Sequence, residues 1–314
     1  MQFSEPLFTF DQEKKRDERL RLALAVGVFD GVHAGHRKII ESSRSIAERN
    51  SALVCAVTFD PHPKSLFGEA PQLLVTPERR RRLLLDAGAD MTATINFTAQ
   101  TAALPPEEFL FRLISDPAFE LSGLCVGEHW RFGSRGRGNK ELIKEFASRY
   151  GFEFCAVPEL NDGSDIISST LIRRLIEQGN LPRAEKLLGS RIRLCGKVVH
   201  GFGVAGRELE TPTANLDVEY GVVPPNGVYA CFAEIDGVIH PAAVNIGVAP
   251  TYAVGKRRVE VHLLDSQADL YGRNIGLEIC KFIRCEQKFP DPGALKKQIM
   301  TDIREIGAVL TELR

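Results

Sequence analysis

Short apolar runs alternate with amphipathic stretches through roughly the first 185 residues. RLALAVGVF (21–29), ALVCAVTF (52–59), MTATINF (91–97), SGLCVGE (122–128) and FEFCAVPEL (152–160) have the length and apolar content of buried strands. Between and after them lie HRKIIESSRSIAER (36–49), PERRRRLLLDAG (77–88), PPEEFLFRLI (105–114), NKELIKEFASRYG (139–151) and SSTLIRRLIEQG (168–179). These space apolar residues at helical intervals and leave a polar face. Pro77 opens one and Gly88 closes it, the usual helix asymmetry. Strand and helix in alternation predict an α/β domain, a parallel sheet covered on both faces. The arginine run 79–82 reads as a solvated helix face.

From about residue 190 the pattern changes. RIRLCGKVVHGFG, GVYACFAEIDGVIHPAAVNIG, RRVEVHLLD and NIGLEICKFIR are strand-like runs broken by Gly, Pro, Asp and Asn turns. That texture predicts a small antiparallel β-barrel. A closing helix follows, with Asp291 at its N-cap and Pro292 at its first position. The boundary is expected between Leu187 and Arg191, giving domains 1–188 and 189–314.

Composition narrows the function classes. The chain has 314 residues and a net charge of −1, which excludes a broadly basic nucleic-acid binder but allows a local phosphate pocket. No apolar run reaches the roughly 20 residues that cross a bilayer, and the first residues lack the order of a signal peptide. The seven cysteines stand singly, with no CxxC pair. Reduced thiols, a cytoplasmic protein and no structural zinc are therefore expected.

The chemistry concentrates in AVGVFDGVHAGH (25–36). Its strand ends near Phe29, so His33 and His36 fall at the carboxyl end of a parallel strand and the start of a helix. Open sheets bind ligands at such ends, and helix N-termini favour phosphate. Imidazoles there can donate to phosphate oxygens whose charge shifts during a displacement. Gly31 relieves a tight turn and Gly35 permits close approach. No GxxxxGK[ST] occurs, so this is not a P-loop.

GVFDGVHAGH resembles the nucleotidyltransferase signature of bifunctional riboflavin kinase/FAD synthetases. TFDPHP (58–63), LPPEEFL (104–110), VGEHWRFGSRGRG (126–138) and ISSTLIRRLIEQG (167–179) match in order. So do GKVVHG, GRELETPTANL, NIGVAPTY, VEVHLLD, DLYG and FIRCEQKF farther on. The resemblance implies a Rossmann-like nucleotidyltransferase domain followed by a flavokinase barrel with its closing helix. It implies two ATP-dependent steps, riboflavin to FMN and FMN to FAD, with Mg²⁺ and with riboflavin, FMN and ATP as small-molecule partners. By similarity His33, His36 and Arg173 serve adenylyl transfer. Gly27, Phe29, Asp30, Gly35, Ser168, Ser169 and Thr170 bind its nucleotide. In the kinase half Gly206 and Arg207 form a glycine-rich flap, Thr213 and Asn215 hold nucleotide and Mg²⁺, and Glu260 activates the riboflavin hydroxyl.

Two stretches depart from the family pattern: His129 and Trp130 replace Asp or Asn and Phe, and Glu210 with Thr211 replaces a glycine-containing stretch. His62 is not assigned to catalysis. The alternatives are a single-activity FMN adenylyltransferase with a degenerate kinase domain, a flavin-binding regulatory protein, and a nucleotidyltransferase for another phosphate. No nucleic-acid or membrane partner is expected, and the sequence leaves a weak homo-oligomer open.

Overall fold

In the computed structural model the described residues are 7–11, 19–199, 214–248, 257–264, 266 and 270–313. Gly206, Arg207, Glu210, Thr211 and Thr213 lie outside them, as do residues 249–252 of NIGVAPTY and Asp269 of DLYG.

The first apolar runs form the centre of a sheet. β1 (Thr9–Phe10), β2 (Leu20–Val26), β3 (Leu53–Asp60), β4 (Met91–Asn96), β5 (Phe119–Gly127) and β6 (Glu153–Val157) lie in the order β1-β4-β3-β2-β5-β6. All pair in parallel except β1, which joins the edge antiparallel to β4. That edge strand is only two residues long, too short to leave a periodicity in the sequence. Residues 22–26 and 54–59 are buried without interruption, because helices cover both faces.

The helices of this half are α1 (Ala34–Arg49), α2 (Pro77–Asp86), α3 (Ala99–Ala103), α4 (Pro106–Ile114) and α5 (Lys140–Tyr150). They bury their periodic apolar residues, for example Ile39, Ile40, Ile46 and Ala47 on α1. One expectation fails: Arg80, inside the supposedly solvated run, is buried. It precedes Leu83 by three residues and Leu84 by four, which puts it on the same inward face. A two-stranded ribbon, β7 (Asn161–Asp162) with β8 (Asp165–Ile166), leads to α6 (Ser169–Glu177) and α7 (Leu181–Leu188).

The second apolar pattern closes into the predicted barrel. β9 (Arg193–Val199), β10 (Ala214–Tyr220), β11 (Gly227–Ile235), β12 (Val238–Val248), β13 (Arg257–Leu263) and β14 (Asn274–Arg284) run antiparallel in the order β10-β13-β12-β11-β14-β9. Closure leaves these strands no free edge. Helix α8 (Pro292–Glu312) packs Ile306 and Leu310 against Val228 and Ala230 of β11. Asp291 caps it as expected, its carboxylate accepting from the Ala294 N–H at 2.8 Å.

Packing divides the chain at Leu171/Ile172, with Gln72–Thr76 counted in the second unit. Most of α6 and all of α7 therefore group with the barrel half.

Candidate active sites

β2 lies between β3 and β5, so the chain leaves it toward one side of the sheet and later returns on the other. The β2 end is thus a topological switch point, where open α/β sheets form a crevice. His33 is the N-cap of α1, and its side chain makes no capping hydrogen bond. The first-turn amides of α1 and its dipole therefore address whatever occupies the strand end.

The two imidazoles stack, with centroids 3.7 Å apart and planes 20° from parallel. Phe29 meets the His36 ring edge-on at 5.3 Å. A Cβ on Gly35 would sit 3.2 Å from the His33 ring, so this glycine leaves room for an imidazole. Gly27 does the same for the Phe29 ring, 3.0 Å from where its Cβ would stand. Phe29 and Asp30 are both buried, and Gly31 has the left-handed φ of 84° that its tight turn requires.

His36 Nδ1 is shut off from solvent and accepts no hydrogen bond among the described residues. Burial holds the His36 imidazole well below its usual range, and the neighbouring His33 pushes it the same way. A histidine lowered in the folded state takes up its proton first in the unfolded chain. Its contribution to stability is then lost as pH falls below about 6.5. The melting temperature is expected to drop from about pH 7.5 to about pH 5.5, with a smaller drop in His36→Gln. Equal pH slopes in calorimetry would contradict this assignment.

The SSTLIRR stretch (168–174) comes to the same strand end in part. Ser168 Oγ accepts from the Leu171 N–H at 3.2 Å, which makes it the cap of α6. Ser169 Oγ donates to the Asp30 carbonyl at 2.9 Å, joining the two motifs directly. Thr170 is exposed in the first turn of α6. Arg173 falls in the second unit, where its Nε donates to the Gln72 carbonyl at 2.8 Å. His62 is a local cap, its Nδ1 accepting from the Lys64 N–H at 3.1 Å. His129 is exposed, with Nε2 3.9 Å from a Glu159 carboxylate oxygen, and Trp130 stacks on Phe132 at 4.8 Å.

In the barrel, strand register sets three polar residues side by side. Asn215 on β10 is opposite Glu260 on β13, and Glu260 is opposite Asn245 on β12. Arg258 Nη1 donates to Glu260 Oε1 at 2.9 Å, and Asn245 Nδ2 approaches Oε2 at 3.4 Å. The carboxylate is therefore held at both oxygens. Asn215 Oδ1 is buried and accepts no hydrogen bond among the described residues.

Glu260 and Asn245 line a cavity of about 370 Å³, together with Val244, His262, Phe289 and Ile299. That volume is in the range of small-molecule sites. On the same wall Arg284 makes a bidentate pair with Asp302 of α8, Nη2 donating to Oδ2 at 2.7 Å and Nε to Oδ1 at 3.0 Å. Gln298 supports that carboxylate at 2.8 Å. Asn245, Arg258, Arg284 and Asp302 were not singled out from the sequence. Alternation along β13 already puts Arg258, two residues away, on the face of Glu260, whereas Asn245 joins them only through the β12–β13 pairing.

Comparison with known proteins bears on both halves. A riboflavin kinase family model matches residues 188–310, and an FAD synthetase model matches 15–171. The bifunctional riboflavin kinase/FMN adenylyltransferase of Escherichia coli K12 is 36% identical over 284 residues, covering 89% of this chain and 90% of that protein. The Bacillus subtilis protein of the same name is 32% identical over 307 residues, covering 95% and 96%. A crystal structure from Streptococcus pneumoniae, described as a macrolide-efflux protein, superposes with a TM-score of 0.75 at 29% identity, over 91% of this chain and 93% of that one. Among the described residues of this chain no helix is long and apolar enough to cross a membrane. With both family models matched and whole-length relatives above 30% identity, the chain belongs to the bifunctional riboflavin kinase/FMN adenylyltransferase family.

Proposed function

We propose that the chain makes FAD in two ATP-dependent steps: phosphorylation of riboflavin to FMN, then adenylylation of FMN with release of pyrophosphate. The carrying observation is that one chain holds two separate donor sets, the stacked histidines at the switch point and the Glu260 row on the cavity wall. A binding protein without turnover needs neither an anchored carboxylate nor paired imidazoles. The reading assigns residues 1–188 to the adenylyltransferase and 189–314 to the kinase. The family models, which stop at 171 and start at 188, support a junction between them.

In adenylyl transfer an FMN phosphate oxygen forms a bond to the ATP α-phosphorus while the bond to the β-phosphate bridging oxygen breaks. The enzyme's task is position and charge stabilisation. His33 and His36 donate to phosphate oxygens, and the α1 N-terminus adds its amides. Arg173 serves the same phosphates. Gly27, Phe29, Asp30 and Gly35, with Ser168, Ser169 and Thr170, shape the nucleotide cradle.

In phosphoryl transfer Glu260 accepts the proton of the riboflavin 5′-hydroxyl as its oxygen attacks the γ-phosphorus and ADP leaves. Arg258 and Asn245 hold the carboxylate in one orientation for this. Thr213 and Asn215 would hold Mg²⁺, and Asn215 Oδ1, buried and without a hydrogen bond among the described residues, fits a hard-oxygen ligand. When bound, that ion neutralises charge on the phosphate oxygens. Gly206 and Arg207 cover the nucleotide in this reading. The protein works in the cytoplasm on riboflavin, FMN and ATP, with neither nucleic acid nor membrane.

The test is chromatography of the flavins after incubation with ATP and Mg²⁺, started in parallel from riboflavin and from FMN. FAD is expected in both reactions. FMN that stops short of FAD would leave only a kinase, FAD from added FMN alone would leave only an adenylyltransferase, and neither product would point to flavin binding without turnover.

A further inference from the structure

The turn from β2 into α1 is strained and is held by side chains from distant parts of the chain. Phe29 and Val32 have φ of 54° and 46°, and both are wholly buried. The left-handed region is unfavourable for any residue with a Cβ and most of all for a β-branched one. Such backbone persists only where its surroundings over-determine it. Here the carbonyls of the turn are bound in series. Val28 O accepts from Thr58 Oγ1 at 2.9 Å and from Arg80 Nη1 at 3.5 Å. Asp30 O accepts from Ser169 at 2.9 Å, and Val32 O from Arg37 Nε at 3.1 Å.

Among these donors Arg80 is the costly one. It is 4% exposed, and its Nε makes no hydrogen bond among the described residues. Its Nη2 donates to the Phe59 carbonyl at 3.1 Å, near the end of β3. Burial lowers the guanidinium from its usual range, while Asp60 and Asp30 act in the opposite direction. A buried cation with an idle donor is a poor stabiliser compared with an apolar side chain of similar size. Its placement across the ends of β2 and β3, on the turn that leads into the histidine pair, therefore calls for a reason other than stability.

We propose that Arg80 is a positioning residue for adenylyl transfer, tying the Val28 and Phe59 carbonyls together so that the strained turn holds His33 and His36 in register. This rests on the adenylyltransferase reading of the N-terminal site. Arg80 acts through the backbone, and displacements of an ångström at the reacting centre are enough to cost about two orders of magnitude in rate.

The experiment compares Arg80→Met and Arg80→Lys with the wild type, in the full chain. It measures kcat and KM for FAD formation from FMN, FMN formation from riboflavin, and the melting temperature. Arg80→Met is expected to lower kcat for FAD formation about 10- to 100-fold, with the KM for ATP changed less than about threefold. Its melting temperature falls by only a few degrees, since Thr58 still donates to the Val28 carbonyl, and FMN formation is unchanged. Arg80→Lys, which keeps the charge and a donor, recovers part of the lost kcat. Wild-type kcat in Arg80→Met overturns the proposal. So does a large fall in melting temperature with kcat per folded molecule intact, since Arg80 is then purely structural. A wild type that makes no FAD from FMN refutes the reading of the site itself, which is a different result.

Discussion

His36→Ala is expected to lower FAD formation from FMN about 10²- to 10³-fold while FMN formation from riboflavin continues at its normal rate. The magnitude is that of removing one preorganised donor from a centre where charge develops, about 3–4 kcal/mol of transition-state stabilisation. The stacked geometry sharpens the expectation. His36 is packed against Phe29 and the His33 face, so in the proposed role its ring is already fixed before a phosphate arrives. Alanine also removes the surface against which His33 rests, so part of the loss belongs to a displaced His33. His36→Gln separates the two effects, because it keeps an N–H donor and much of the packing volume. Recovery with Gln would favour hydrogen bonding, and equal loss in both variants would favour the ring stack. The kinase reaction is the internal control: Glu260 and its cavity lie in a different compact unit. Equal loss of both products in a folded His36→Ala protein would refute the division of labour.

Legibility in the sequence followed the strength of the local pattern. The central strands β2 and β3 are continuous apolar runs, and α1 carries a clear helical period. These elements and the barrel strands were readable because local and tertiary preferences agree. The histidine pair was readable because its short spacing directly follows a strand. Less legible were interactions that depend on three-dimensional pairing. Arg80 looks like one of four equivalent arginines until helix phase puts it beside Leu83 and Leu84. Phe29 and Gly27 read as parts of a nucleotide motif, yet Phe29 also packs edge-on to the His36 ring and Gly27 leaves room for the Phe29 ring, roles visible only in the structure. Ser168 and Ser169 could not be ranked as caps from sequence; geometry gives the cap to Ser168 and turns Ser169 toward Asp30. Asn245 is fifteen residues from Glu260 and meets it only through the β12–β13 register.

Glu260→Gln is expected to produce the opposite pattern: FMN formation falls about 10²- to 10³-fold, and FAD formation from added FMN is retained. General-base catalysis contributes about this much when a carboxylate is held in place for one proton. Glutamine conserves shape, and its amide oxygen can still accept from Arg258 or Asn245. It cannot take a proton from the riboflavin hydroxyl as the new phosphate ester bond forms. The loss should therefore appear in kcat, with the KM for riboflavin nearly unchanged, because the cavity walls around Val244, Phe289 and Ile299 are untouched. Arg258 is partly solvent-exposed, so it tolerates loss of its charge partner at modest cost, and the barrel should melt within a few degrees of the wild type. Asn245→Ala makes a useful companion, since it frees one carboxylate oxygen without removing the base; a smaller loss of kcat is expected there. If Glu260→Gln lost affinity for riboflavin and kept its turnover, Glu260 would be a binding group, and the proton would have to leave by another acceptor on the cavity wall.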